Sequence, residues 1–425
     1  MKKVKFYTLG CKVNQYETQE IRERFLEAGF LEIKGKEAAD IYVINTCTVT
    51  AKADKDSLYF IHRSHHENPR ARIVVTGCLA DLEPKKIKAQ PGVSLVVSNH
   101  DKIKIAAKLC GERKKPKEGI SFLEGHTRAF LKIQDGCDNF CSYCRVPLAR
   151  GASQSRQLSD ILREANRLVD RGFKEIVLTG ICLGAYGRDF SPCQSLAKVI
   201  TALEKIDDLL RIRLSSIEAG DVSNDLIQTM ANSSKLCCHL HIPIQSGDDG
   251  ILKRMHRSYT SRDYLELIKK IKKRIRGVAI TTDVLVGFPR EEESNFKNTL
   301  SLLKKISPLR THIFPFSPRP GTAAAAFPGI PQKNVIKKRI EQLRKVAQDC
   351  SRLFRQRSLG KKMAVLIEGR SPDNPGSWEG YTDTYIKVLI SSRKNLRNKL
   401  VQARLKKVVP GGVLGEILVK KPRLF

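Results

Sequence analysis

Gln134-Asp135-Gly136-Cys137-Asp138-Asn139-Phe140-Cys141-Ser142-Tyr143-Cys144 is the stretch on which the reading of this chain turns. The spacing Cys-x3-Cys-x2-Cys puts three thiols into one loop, directly after the strand-like run Ala129-Phe130-Leu131-Lys132-Ile133-Gln134. Cubane iron–sulfur clusters normally use four protein thiolates, so three leave one iron open to an outside ligand. A zinc knot is the competing reading. It wants a fourth protein ligand, and no Cys or His follows within the usual motif spacing, which leaves zinc as the weaker alternative.

Working outward, strand-like runs at 129–134, 175–180, 211–215, 238–243, 279–286 and 311–315 alternate with amphipathic helical segments at 158–171, 196–206, 262–274 and 294–306. Six βα units of this kind predict an incomplete TIM-type barrel, in which chemistry sits at the C-terminal ends of the strands. Gly180, Ser216, Gln245 and Gly287 fall in such turns.

Upstream, short apolar runs at 4–9, 41–45, 73–76 and 94–97 alternate with helical segments near 16–28, 52–66 and 101–109, which predicts a parallel α/β sheet. Met1-Lys2-Lys3 and Leu9-Gly10-Cys11 imitate an export signal, but Lys5 interrupts the short apolar run and polar Asn14-Gln15-Tyr16-Glu17 follows at once, so a first strand is expected. Cys11, Cys47 and Cys78 each follow one of these runs, and loops at the carboxyl ends of parallel strands share one edge, so the three thiols are able to converge. Taken singly, each reads equally as an ordinary buried cysteine.

Gly111 to Gly119, rich in Lys, Pro and Gly, is the natural linker, and a new domain begins near Thr127. Downstream of the barrel, a basic helix at 332–358 is expected, then strands near 363–368, 385–390, 400–407 and 413–419 that form a small basic β-barrel.

Lys and Arg number 77 against 44 acidic residues, a formal charge of +33, which favours a polyanionic partner such as RNA through counterion release. The excess is clustered: 333–362 carries eleven basic residues against Glu341 and Asp349, and 393–425 carries ten against Glu416. With aromatics at 6%, recognition should lean on phosphates and shape rather than on base stacking. No apolar run is long enough to span a bilayer, so no membrane partner is expected. Twelve cysteines without a secretory signal argue for metal or redox chemistry in the reducing cytoplasm rather than for disulfides. His65-His66 resembles a metal pair only superficially, because adjacent positions do not share a helix face.

The three-cysteine loop ahead of a (βα)6 pattern resembles the radical S-adenosylmethionine (SAM) superfamily, in which the amino and carboxylate groups of SAM fill the open iron site. Further stretches resemble the methylthiotransferases, and specifically the branch acting on N6-threonylcarbamoyladenosine in tRNA. They are Thr8-Leu9-Gly10-Cys11-Lys12-Val13-Asn14-Gln15-Tyr16-Glu17, Asn45-Thr46-Cys47-Thr48, Thr76-Gly77-Cys78, Leu214-Ser215-Ser216-Ile217-Glu218, His241-Ile242-Pro243-Ile244-Gln245-Ser246-Gly247 and Ser317-Pro318-Arg319-Pro320-Gly321-Thr322.

The resemblance implies an N-terminal methylthiotransferase domain (1–112), a linker (113–126), a radical SAM barrel with a basic helix (127–357) and a TRAM-like RNA-binding β-barrel (358–425). It implies two [4Fe-4S] clusters, one on Cys11, Cys47 and Cys78 and one on Cys137, Cys141 and Cys144, with two SAM molecules used per turnover. Gly180, Ser216, Glu218 and Gln245 are the expected SAM contacts, although each taken alone reads first as a structural residue. The expected reaction methylthiolates C2 of the modified adenosine at position 37 of tRNA, with electrons from a partner such as flavodoxin or ferredoxin and a separate sulfur donor. Sister enzymes acting on isopentenyl-adenosine or on a ribosomal-protein aspartate, and an RNA-binding protein without catalysis, are the competing expectations.

Four residues depart from the pattern: Cys182 stands where a histidine is expected, and Arg145, Leu148 and Arg290 are also unusual. Cys110, Cys182, Cys193, Cys237, Cys238 and Cys350 lack ligand spacing and are expected to be core or incidental thiols, with the neighbours Cys237 and Cys238 on opposite faces of a strand.

Overall fold

Ile41-Tyr42-Val43-Ile44-Asn45-Thr46 is buried at every position, as the centre of a parallel sheet covered on both faces should be. In the computed structural model, which describes residues 1–111 and 118–418, this strand (β3) lies in a five-stranded parallel sheet. The sheet also contains β1 (Lys3–Thr8), β2 (Leu31–Glu32), β4 (Arg72–Gly77) and β5 (Val93–Val96), in the order β2-β1-β3-β4-β5. Helices Lys12–Glu27 and Ala51–Glu67 pack on it. The first starts four residues before the expected Tyr16, because Cys11 holds an extended backbone at its N-cap and offers no side-chain capping bond that a sequence would advertise. The helix expected over 101–109 splits into a 3-10 turn, Lys102–Lys104, and a helix, Ile105–Cys110.

The barrel is built from β6 (Ala129–Lys132), β9 (Glu175–Thr179), β10 (Arg211–Leu214), β11 (His239–His241), β12 (Ala279–Val286) and β13 (Arg310–Pro315). The short pair β7 (Gln134–Asp135) and β8 (Gln154–Ser155) closes off the cysteine loop. Two parallel three-stranded sheets, β6-β9-β10 and β11-β12-β13, meet through the bridges Ile212 to Leu236 and Ser216 to His241, giving six strands with β6 and β13 at the open edges. Strand β11 is shorter than expected, so Cys237 and Cys238 precede it instead of occupying its two faces.

The N-terminal domain spans the open side. Helix Lys12–Glu27 packs against β6, with the Tyr16 hydroxyl 3.0 Å from Glu164 in the barrel core. Beyond β13, Arg319 hydrogen-bonds Thr48 and pairs with Asp54, while the Ala51 amide donates to the Ser317 hydroxyl at 3.2 Å. Between the two domains Glu17 is buried among Lys102, Lys132 (2.9 Å) and Arg150 (3.0 Å). Of the expected linker, 113–117 lie outside the described residues. The remainder is docked: the amides of Ser121 and Phe122 donate to the Glu23 carboxylate.

After the basic helix Lys333–Gln356 the chain forms a closed barrel, β14 (Lys362–Arg370), β15 (Ser377–Thr382), β16 (Lys387–Ser391), β17 (Leu400–Val409) and β18 (Gly412–Ile417), ordered β14-β15-β16-β18-β17. Val419 and the basic residues Lys420, Lys421 and Arg423 of the expected final segment lie outside the described residues. The small barrel caps the N-terminal ends of β6, β9 and β10. Arg211 donates to the Tyr381 carbonyl (3.0 Å) and Arg213 to the Asp383 carbonyl (3.0 Å), Glu175 holds Arg213 at 2.6 Å, and Arg128 pairs with Glu368 at 2.6 Å. Buried ions of this kind fix orientation more than they add stability, because desolvation offsets much of their attraction.

Candidate functional site

Cys11, Cys47 and Cys78 come together at the carboxyl edge of the N-terminal sheet. Gly10, in the left-handed region at φ +92°, lets the first loop press onto the second: a Cβ there would lie 2.7 Å from the Cys47 Sγ. Gly77 (φ +93°) plays the same part before Cys78, where a Cβ would meet the Thr46 carbonyl at 2.4 Å. Asn14 stitches the loops, donating to the carbonyls of Leu9 (2.8 Å) and Thr46 (3.0 Å). Cys11 is accessible, and Cys47 and Cys78 are 5% and 7% exposed. Burial pushes the Cys47 thiol up to about 11, and the Cys78 and Cys11 sulfurs add to the effect. Burial raises the Cys11 thiol as well.

Cys137, Cys141 and Cys144 occupy the loop after β6 and β7. Gly136 (φ +72°) makes the turn, where a Cβ would overlap the Ala152 carbonyl at 1.9 Å, and the Cys137 amide donates to the Gly151 carbonyl at 3.1 Å. Ser142 pins the loop to the turn after helix Asp249–Arg254, its hydroxyl donating to the Arg254 carbonyl at 2.7 Å. Burial drives Cys144 up to about 12 and raises Cys141, whose sulfur accepts a hydrogen bond from Arg257 Nη1 at 3.1 Å. Arg257 also pairs with Glu218 and bonds the Tyr259 hydroxyl at 3.1 Å.

All eleven described cysteines are free; the Cys110 side chain lies outside the described residues. Thiols pushed above neutrality by burial and by one another ionise readily only when cations replace their protons, as in a metal or cluster site. A single tetrahedral zinc ion draws its thiolates to roughly 3.8 Å apart. Among the described residues no three cysteine sulfurs lie mutually within 4.8 Å, so neither set is drawn in to the spacing of a single zinc ion.

Cys182 is no incidental thiol. Its sulfur accepts from Asn139 Nδ2 (3.5 Å) and donates to Asp221 Oδ2 (3.5 Å), and its nearness to the Cys137 sulfur is the main reason the Cys137 thiol falls to about 7. Its own amide donates to Gln134 Oε1 at 2.8 Å, the atom against which Gly180 also packs. Gly180 thus borders the Cys137 end of the loop, and Glu218 borders the Cys141 end through Arg257. Ser216 pairs with His241 in a backbone bridge, and Gln245 adopts φ +64° beside β12; neither side chain hydrogen-bonds a cysteine loop among the described residues. Of the other thiols, Cys237 and Cys350 are buried, Cys238 is half-buried and Cys193 exposed. His65 is half-buried and His66 exposed, with no shared metal geometry. A cleft of about 740 Å³ between the N-terminal domain and the barrel is lined by Glu17, Lys102 and Arg150 and contains none of the six cysteines.

Arg257, Thr48 and Arg319 are missing from the expected site residues, although Thr48 and Arg319 lie within the family-like stretches. Each acts across more than a hundred residues or between domains, so no local spacing announces it.

A half-barrel of six parallel strands, its first strand leading into a three-cysteine loop, defines a radical SAM enzyme. Residues 131–303 match the radical SAM superfamily model, and residues 3–98 match the model of uncharacterized protein family UPF0004. The fold is similar to that of TsrM, a radical SAM methyltransferase from Kitasatospora setae solved with cobalamin and a [4Fe-4S] cluster (TM-score 0.57, 13% identity, 76% of this chain and 77% of that one). Over 96% of its length the chain is 38% identical to threonylcarbamoyladenosine tRNA methylthiotransferase MtaB of Bacillus subtilis, covering 94% of that protein. The Thermotoga maritima MtaB is 37% identical over 91% of each chain. The tRNA-2-methylthio-N(6)-dimethylallyladenosine synthase of Clostridium tetani is 32% identical, over 96% of this chain and 95% of that one. The chain therefore belongs to the radical SAM methylthiotransferase family. Membership of the radical SAM superfamily carries with it a [4Fe-4S] cluster and SAM. No described helix is long and apolar enough to cross a membrane.

Proposed function

We propose that this protein methylthiolates C2 of N6-threonylcarbamoyladenosine at position 37 of tRNA, using two [4Fe-4S] clusters and two SAM molecules per turnover. The observation that carries the reading is the presence of two three-thiol sets on loops tied directly to one another, in a chain 36–38% identical to MtaB enzymes. Cys137, Cys141 and Cys144 would hold the SAM-binding cluster, and Cys11, Cys47 and Cys78 the cluster that serves sulfur insertion. When bound and reduced, the first cluster supplies cleavage of SAM to a 5′-deoxyadenosyl radical, while the protein positions the partners and excludes competing reactions.

The chain's own residues do the positioning. Arg257 orients the Cys141 sulfur and neutralises Glu218; Cys182 ties Asn139 of the cysteine loop to Asp221; Gly180 leaves room for a ligand's close approach. Ser216 and Gln245 offer polar groups at the strand ends. The N-terminal domain across the open side of the barrel and the small barrel across its base restrict water. We divide the chain at 1–112, 113–126, 127–357 and 358–425, with the last part and the helix Lys333–Gln356 as the basic face for tRNA. Electrons would come from flavodoxin or ferredoxin.

Relatives named for dimethylallyladenosine favour a sister reading, but their identity is lower, at 31–33%. Nucleoside mass spectrometry of tRNA from cells lacking this gene, before and after complementation, separates the two. Loss and return of 2-methylthio-N6-threonylcarbamoyladenosine supports the proposal; loss and return of the isopentenyl counterpart transfers it to the sister reaction.

A further inference from the structure

The second half of the barrel carries a polar cluster that the cysteine chemistry does not use. His241 on β11, Asp283 on β12 and His312 on β13 bring two imidazoles and a carboxylate within 4.8 Å of one another. Asp283 Oδ1 lies 3.2 Å from His241 Nε2 and 3.0 Å from His312 Nδ1. The other nitrogen of His241, Nδ1, meets the Thr281 hydroxyl at 2.8 Å, and that hydroxyl meets Nε2 of the buried His239 at 2.9 Å.

The protons in this chain can be assigned by counting. Burial, reinforced by Arg213, keeps His239 neutral, so its ring carries a single N–H, and its Nδ1 has no partner. Placing the proton on Nδ1 would bury an unmet N–H; placing it on Nε2 lets it donate to Thr281. Against the effect of burial, the bonds from His241 and His312 hold the Asp283 carboxyl down at about 2, so Asp283 has no proton to give and its hydrogen bond with His241 uses a proton on Nε2. A metal ion would need that nitrogen's lone pair, so this two-histidine, one-carboxylate set is satisfied as a hydrogen-bonded chain rather than as a metal site.

Two groups at the end of the chain remain available. Asp283 Oδ2 and the outer nitrogen of His312 have no partner among the described residues, and the two side chains are 22% and 45% exposed. The cluster borders the proposed SAM site, since His241 pairs with Ser216 in a backbone bridge, two residues before the Glu218 that Arg257 ties to Cys141. On the other side, Lys12 directly follows Cys11 and makes no ion pair or hydrogen bond among the described residues. Its charge reaches the same interior, where it helps to lower His239 and Tyr385.

We propose that His312 and Asp283, together with Lys12 from the Cys11 loop, hold the amino-acid end of the adenine's N6 substituent and so select a carboxylate-bearing modification over an apolar one. The inference rests on the substrate reading above and deepens it. A threonylcarbamoyl group offers urea N–H groups that Asp283 Oδ2 can accept, a hydroxyl that can donate to the outer nitrogen of His312, and a carboxylate for Lys12 to bind. An isopentenyl chain offers none of these. Recognition of this kind discriminates strongly because its polar groups stay unmet when the wrong substituent enters.

The test uses the anaerobically reconstituted full-length enzyme and fluorescent anticodon stem-loops with N6-threonylcarbamoyladenosine or unmodified adenosine at position 37. Wild-type protein should bind the modified loop more tightly by roughly tenfold or more, the scale of hydrogen bonds to charged groups. Lys12→Gln, Asp283→Asn and His312→Ala should each erode that preference while affinity for the unmodified loop stays near wild type, and Lys12→Arg should preserve it. A wild type that does not distinguish the loops, or variants that keep the full preference, overturns the inference. Methylthiolation of threonylcarbamoyl-tRNA by the wild type is read in parallel: if it occurs while the variants keep the preference, the inference fails alone; if it never occurs, the substrate reading fails with it.

Discussion

Arg145, the residue after Cys144, donates from Nη1 to the hydroxyl oxygen of Thr48, the residue after Cys47, at 2.8 Å, and Arg319 donates to the same oxygen at 2.9 Å. One threonine thus fixes the separation and angle of the two cysteine loops, using both lone pairs of its oxygen. Arg145, unusual as a sequence choice, has its explanation here: it also reaches Glu83 at 3.2 Å and is buried between the domains.

Replacing Thr48 by Val keeps the shape and removes the acceptor. Two buried guanidinium N–H groups lose their partner, at about 1–3 kcal/mol each. Denaturant unfolding should show the loss. SAM cleavage should persist while methylthio product falls, because the loops lose their relative placement.

Arg257→Met should lower SAM cleavage by roughly tenfold to a hundredfold, the usual effect of removing a group that supports a metal ligand. It takes the hydrogen bond from Cys141 and leaves the half-buried Glu218 without its cation. The electron paramagnetic resonance signal of the reduced protein should change, and Arg257→Lys should restore part of the activity. A normal signal and normal cleavage would remove Arg257 from the site.

For Cys182→Ala, iron and sulfide content, measured after anaerobic reconstitution, should stay at the wild-type level, since the Cys182 sulfur is bonded to Asn139 and Asp221 and is not a member of either set.

Glu17 gives a pH dependence. Burial alone would raise its carboxyl, but Arg150, Lys102 and Lys132 together outweigh that and hold it well below the ordinary range. Its stabilising contribution is fully present above the unfolded value of about 4.3 and is lost as pH falls below it. Glu17→Gln should cost about 3–5 kcal/mol near neutrality, because it leaves three buried cations short of a partner. Urea unfolding should show the gap between variant and wild type narrowing in acid.

The alternation of elements, the three-part architecture and the strand-end positions of Cys11, Cys47 and Cys78 were legible because hydrophobic period and strand order are local properties. The start of helix Lys12–Glu27 was hidden by a cap with no polar side chain. The Thr48 bridge, Arg257 beside Cys141 and the chain from His239 to His312 depend on which strands become neighbours, and sequence spacing does not encode that. Cys182 lay between the two cases: its position after β9 was evident, but its contacts with Asn139 and Asp221 depend on how the turn folds back over Gln134.

The division of labour between the two cysteine sets is tested most directly by the variant with Cys11, Cys47 and Cys78 all replaced by Ala. After anaerobic reconstitution it is supplied with SAM, reductant and threonylcarbamoyl-tRNA. It should retain about four irons per chain, half the wild-type content, still release 5′-deoxyadenosine and form no methylthio nucleoside. Formation of 2-methylthio-N6-threonylcarbamoyladenosine by this variant would contradict the account.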